Sequence, residues 1–285
     1  MAIGWSFESG TSESLIYDSL IQSKNVKDFK KIQGVKFFLT NLMIAISFLL
    51  GGFLFKIDVR LPYIMTAIMI FIALIIASTF EEPKRTLPKK SHFIHIKESI
   101  KFLFTHDYLR SLVLFSVVIT TAVVLSYFLN QPYFRLIGLP VEMFGVVLGI
   151  SSILIAIISK YAYKIEGRLG EKTLMYLFPI LIILSYGLMG IFSFNFAFIF
   201  YYFLSFSDGL NRPILSDYFN KHIKSYNRAT VLSVKSALTN LSFIIFAPVA
   251  GYLSDTISLQ TTFIIIAISV LILALILLVN IFKKR

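Results

Sequence analysis

Residues 37–55, 61–80, 111–134, 143–159, 173–207, 236–254 and 256–282 contain no charged side chain. A helix needs about 20 mostly apolar residues to cross the hydrocarbon of a bilayer, and all but one of these stretches come near that length. The exception, 173–207, is too long for one crossing. Ser193-Phe194-Asn195 offers a polar turn inside it, so it reads as one helix and most of the next, the second ending near Asp217. Residues 1–20 add a weaker opening span, for about nine in all. With 57% hydrophobic residues, 15% charged and a mean hydropathy of +0.81, the composition lies outside ordinary soluble usage. An all-α, polytopic membrane protein is expected.

The formal charge of +12 is placed for a membrane, not for nucleic acid. Lys and Arg crowd into alternate connections: 24–36, 84–110, 160–172, 212–235 and the C-terminal Lys283-Lys284-Arg285. Only Lys56, Arg60 and Arg135 fall in the others. This alternation is the positive-inside pattern, which puts the basic connections and the C-terminus in the cytoplasm. Nine spans then leave Met1 outside, although nothing before Lys24 is basic enough to direct a signal segment there. The chain has no cysteine, hence no disulfide and no thiolate metal site. His92 and His95 have no visible third ligand, so no metal or other cofactor is expected. Residues 91–109 alternate apolar and basic side chains, as an amphipathic helix on the inner leaflet would.

An internal repeat organises the chain. At an offset of 199 residues, Gly10 meets Gly209, Asp18 meets Asp217 and Val35-Lys36 meets Val234-Lys235. Leu39-Thr40-Asn41-Leu42 then meets Leu238-Thr239-Asn240-Leu241, and Ile46, Gly52 and Leu54 meet Ile245, Gly251 and Leu253, without a gap. Duplicated halves of this kind mark transporters, and the two copies are expected to superpose by rotation about an axis normal to the membrane. Three spans precede the second copy in its half. Their counterparts would begin roughly 90 residues before Met1, so the chain is expected to lack three opening helices. The expected division is 1–80 as the remnant of a first half, 81–109 as a cytoplasmic linker and 110–285 as the second half.

Ser9-Gly10-Thr11-x-Glu13-x-Leu15-Ile16-Tyr17-Asp18-Ser19-Leu20 resembles the fourth helix of bacterial major facilitator superfamily permeases. Glu82-Pro83 is similar to the end of that family's sixth helix. Gln131-Pro132-Tyr133, Gly138-Leu139-Pro140 and Phe144-Gly145 resemble its seventh and eighth, and Arg228-Ala229-Thr230-Val231-Leu232-Ser233 the start of its eleventh. The resemblance runs from the fourth family helix to the twelfth. It implies a helical-bundle transporter in the bacterial cytoplasmic membrane, moving a small-molecule substrate by alternating access.

Charge within a membrane span costs about 2.5–3.5 kcal/mol at its centre on insertion scales, so each instance needs a reason. The opening span carries Glu8, Glu13 and Asp18; the span ending near Asp217 carries Asp208 and Arg212. Asp208 and Arg212, four residues apart, share a helix face and can neutralise one another. Under the repeat Glu13 falls on Arg212, and in the resembling family these two helices line the central cavity. Glu8, Glu13, Asp208 and Arg212 are therefore candidates for substrate or proton coupling. The alternative is that Asp208–Arg212 is a structural pair. The segment Lys164-Ile165-Glu166-Gly167-Arg168-Leu169-Gly170-Glu171-Lys172 resembles a degraded form of the family's short basic loop, whose charges lock an inner gate. That resemblance makes Asp18, Asp217, Arg168 and Lys172 gate candidates, with Arg168 or Lys172 pairing to Asp217. Gly145-x-x-x-Gly149 reads as a close helix contact.

The expected function is secondary active transport. Coupling falls to protons because carboxylates are present and no G-x-x-x-x-G-K-[ST] nucleotide loop exists. The suggested direction is export of an amphiphilic compound. A transport-inactive fragment is the alternative. A polytopic membrane enzyme is disfavoured because the histidines all lie in connections, away from the intramembrane carboxylates.

Overall fold

The computed structural model describes residues 15, 16, 19, 20, 22, 23, 25, 28–80, 105–223 and 225–283. Glu8, Glu13 and Asp18, and most of the amphipathic segment expected at 91–109, lie outside the described residues. The helices are α1 (Phe29–Ile57), α2 (Leu61–Ala77), α3 (Asp107–Leu136), α4 (Val141–Ile191), α5 (Tyr202–His222), α6 (Ser225–Thr256) and α7 (Leu259–Lys283). A 3-10 turn, Ala197–Tyr201, leads into α5. No strand occurs among the described residues. In α1, α3, α4, α6 and α7 the helices are long and apolar enough to cross a membrane, and α2 is a shorter apolar helix.

Helix α4 counts twice. A straight helix of its 51 residues would be roughly 75 Å long, more than double the hydrocarbon thickness. Gly170, at φ 76° and ψ 160°, breaks it in a region of backbone space open essentially to glycine alone. The two limbs run antiparallel. On the first, Ser151 meets Ser205 and Ser159 donates to the Gly209 carbonyl; on the second, Ser207 donates to the Phe178 carbonyl and Ser185 to that of Phe200.

This corrects the expectation of a loop at 164–172, which is helical on both sides of Gly170. Ile165, Glu166, Arg168 and Leu169 are good or tolerable helix formers, so the charges of this segment do not unwind the backbone. At the other end of the bundle Pro132 lies inside α3. Gly138, at φ 72°, makes the turn to α4, whose first residue follows Pro140. The polar turn expected at Ser193–Asn195 does separate α4 from the 3-10 turn.

The core lies among α3, both limbs of α4, α5 and α7. Tyr133, Phe134, Phe178, Tyr186, Tyr201, Phe219 and Phe263 are buried there, with edge-on ring contacts such as Tyr133–Phe263 and Phe134–Tyr201. Glycines set the closest approaches. A Cβ on Gly209 would stand 2.8 Å from Ile158 Cβ, and one on Gly190 would stand 2.9 Å from the Gln260 carbonyl.

Helix α1 packs antiparallel on the first limb of α4. Gly34 faces the Ser159 carbonyl, Gly149 faces Ala45 and Leu49, and Gly145 faces the Phe48 carbonyl. The Gly145/Gly149 pair thus serves the close contact its spacing suggests. Helix α2 buries none of its residues.

These pairings bring Lys31, Arg110, Lys160, Lys164, Lys172 and Lys283 to one end of the bundle. Helix bounds also follow the repeat: α6 ends at Thr256, 199 residues after α1 ends at Ile57.

Candidate functional site

Asp208 lies in the first half of α5, with 2% of its surface exposed. An unpaired carboxylate would not survive there, because burial of a lone charge costs several kcal/mol. Two donors satisfy it. Arg212 Nε donates to Asp208 Oδ1 at 2.7 Å, the geometry that a four-residue spacing on one helix allows. Tyr127, reaching from α3, donates its hydroxyl to Asp208 Oδ2 at 3.0 Å. Arg212 Nη2 lies 3.5 Å from the same hydroxyl, so the three groups form a closed triangle across two helices. The triangle has an inside and an outside: Asp208 is buried, whereas the Arg212 side chain is 39% and Tyr127 41% exposed.

Polar side chains continue along the same face of α5. Ser205, one turn before Asp208, shares a 2.7 Å hydrogen bond with Ser151 of α4. Tyr201, a further turn back, has its hydroxyl beside Asn130, Ser126 and Ser151. Asn130 Oδ1 and Asn211 Nδ2 are buried without a hydrogen-bond partner. Such a polar vein through an apolar core is costly, and in membrane proteins it marks solute or proton paths. The arrangement holds a fixed ion pair and leaves the guanidinium and the phenol partly exposed.

Of the residues singled out from sequence, the structure joins Asp208 to Arg212. At the basic end, Asp217 is partly buried on α5. No ion pair among the described residues joins it to Arg168 or Lys172. Arg168 is exposed, and Lys172 Nζ stands 5.7 Å from the Phe282 ring. Carboxylates occupy this corner instead: Glu166, Glu171 and Asp217 all act electrostatically on Tyr218, and Tyr108 donates to Glu171 at 3.3 Å. Sequence reasoning missed Tyr127. Its signal was a phenol flanked by Ser126 and Asn130 inside the uncharged stretch 111–134.

A family model, the Major Facilitator Superfamily, matches residues 25–234, most of the chain. The chain belongs to this superfamily. It is therefore a multi-pass membrane protein of a transporter family whose members act on small-molecule substrates in a lipid bilayer. No curated protein gives a significant match.

Proposed function

We propose that this superfamily member is a proton-coupled secondary transporter. It exports a small amphiphilic solute across the bacterial cytoplasmic membrane by alternating access, with its basic end and C-terminus in the cytoplasm. The observation that carries the reading is the triangle itself, a buried carboxylate whose cationic partner faces an open side. While Asp208 is ionised, Arg212 is committed to it. A solute that brings a cationic or donor group from the cytoplasmic side competes with Arg212 for the ionised carboxylate. A proton arriving on Asp208 from the outer side removes the negative charge and releases the solute there, so that proton entry and solute export exchange at one site. The remaining candidates fit around this step. Glu8 and Glu13 would supply carboxylates from the first half. Asp18 and Asp217, with Arg168 and Lys172, would act at the cytoplasmic gate in the state where that end is closed.

The test uses full-length protein in pyranine-loaded proteoliposomes, challenged with a panel of small carboxylates, sugars and amphiphilic amines under an imposed pH gradient. At least one compound should move with a proton flux, and Asp208→Asn should uncouple the two. Solute flux with no proton movement in the native protein would defeat the coupling, and Asp208→Asn behaving as native would defeat the site.

A further inference from the structure

We propose that Lys160 and Lys164, with Tyr161, Tyr163 and Phe38, hold the phosphate headgroup of one anionic phospholipid at the rim of the α1–α4 seam. The first limb of α4 exposes Met143, Val146, Ile150, Ile153 and Ile157. Their spacing of three and four residues draws one stripe along the helix, on the side away from its Ser151 and Ser159 contacts with α5. In a bilayer that stripe meets acyl chains. Continuing it by one turn gives Lys160, Tyr161 and Lys164, the first charges after the uncharged stretch 143–159, and so at headgroup depth.

The cations are positioned but not neutralised. Lys160 Nζ stands 4.9 Å from the Phe38 ring of α1 and 5.9 Å from that of Tyr161. Lys164 Nζ stands 5.4 Å from Tyr161 and 5.9 Å from Tyr163. Ring faces attract an ammonium through their quadrupole, yet they carry no net charge. Neither lysine has a carboxylate at ion-pair distance among the described residues, and Glu166, the nearest in sequence, acts on Tyr218 of α5. Two like charges one helical turn apart repel.

A phosphodiester between the two ammonium groups relieves that repulsion, and Tyr161 and Tyr163, each about two-fifths exposed, bring phenol donors to the same rim. Phosphatidylglycerol fits this site. Phosphatidylcholine carries its own cation beside the phosphate and gains less. Because Phe38 belongs to α1 and the lysines to α4, the lipid bridges the seam.

Native mass spectrometry of the detergent-purified full chain tests this with phosphatidylglycerol, phosphatidylcholine and inorganic phosphate as separate titrants. The native protein should retain one phosphatidylglycerol in preference to phosphatidylcholine, and inorganic phosphate should not displace it. The pair Lys160→Gln/Lys164→Gln should weaken retention by at least about fivefold, the effect of one surface lysine near anionic lipid. Lys160→Arg/Lys164→Arg should keep it, and Lys56→Gln/Arg60→Gln at the opposite end should leave it untouched. Equal retention by the glutamine pair, equal retention of the two lipids, or displacement by inorganic phosphate would each overturn the proposal. Should the glutamine pair fail to fold, the native protein decides: a phosphatidylglycerol preference that disappears at high salt supports the site, and no preference overturns it.

Discussion

Asp208 tolerates burial because Arg212 and Tyr127 each give it a hydrogen bond, and the loss of each donor has a different cost. Arg212→Gln strands a buried carboxylate. Breaking a buried pair from one side costs about 3–5 kcal/mol, and the partly open Arg212 side places this case near 3 kcal/mol. Asp208→Asn strands the guanidinium, which reaches the open side and should lose only about 1 kcal/mol. The double variant removes both charges and should be milder than Arg212→Gln alone, since replacing both partners avoids an uncompensated charge. Apparent melting temperatures in detergent check the order; a double variant as unstable as the sum of the singles would show that the two residues are not coupled. Tyr127→Phe keeps the ring and removes one donor, for about 1–3 kcal/mol. The ion pair was legible in the sequence because both members sit one turn apart on one helix. Tyr127 was not, because it lies 81 positions from Asp208 and no local periodicity relates the two.

At the scale of the element, three glycines separate backbone strain from crowding. Gly170 needs φ 76° and ψ 160°, yet a Cβ there would meet nothing within 4 Å, so Gly170→Ala tests conformation alone at a cost of about 1–3 kcal/mol. Gly209 is helical, but its Cβ would stand 2.8 Å from Ile158 Cβ and 3.1 Å from the Ile155 carbonyl. Gly209→Ala should therefore push α5 off α4, at a similar cost of about 1–3 kcal/mol. Gly187 in α4 is helical with open space around it, so Gly187→Ala should be neutral or stabilising by up to about 1 kcal/mol. Thermal denaturation of the three variants checks the contrast, and a Gly187→Ala protein as unstable as Gly209→Ala would remove the packing argument. The crossings were readable because bilayer length and the absence of charge are local properties. The hairpin at Gly170 was readable only as a change of direction. Its charges suggested a loop, whereas a single glycine backbone turns the chain and leaves its neighbours helical.

For the whole molecule, the repeat anticipated where helices end but not what each copy packs against. Helices α1 and α6 end 199 residues apart. Yet α1 lies on the first limb of α4 through Gly34, Ala45, Gly145 and Gly149, while Phe243 of α6 meets Phe128 of α3 with ring centres 4.8 Å apart and the rings tilted by 38°. Partner choice depends on which neighbouring surface is available, and no offset in the sequence encodes that. The α1–α4 seam is where the two expected halves touch in this structure, so the proposed alternating access requires it to shear or open. The chain contains no cysteine, which makes this testable without background. Ala45→Cys with Gly149→Cys places two thiols where a Cβ on Gly149 stands 3.8 Å from the Ala45 carbonyl. Cross-linking the pair should abolish solute flux in proteoliposomes, and cleaving a reducible linker should restore it. Undiminished flux from fully cross-linked protein would mean that α1 and α4 move as one body, and that access alternates along some other boundary in the bundle.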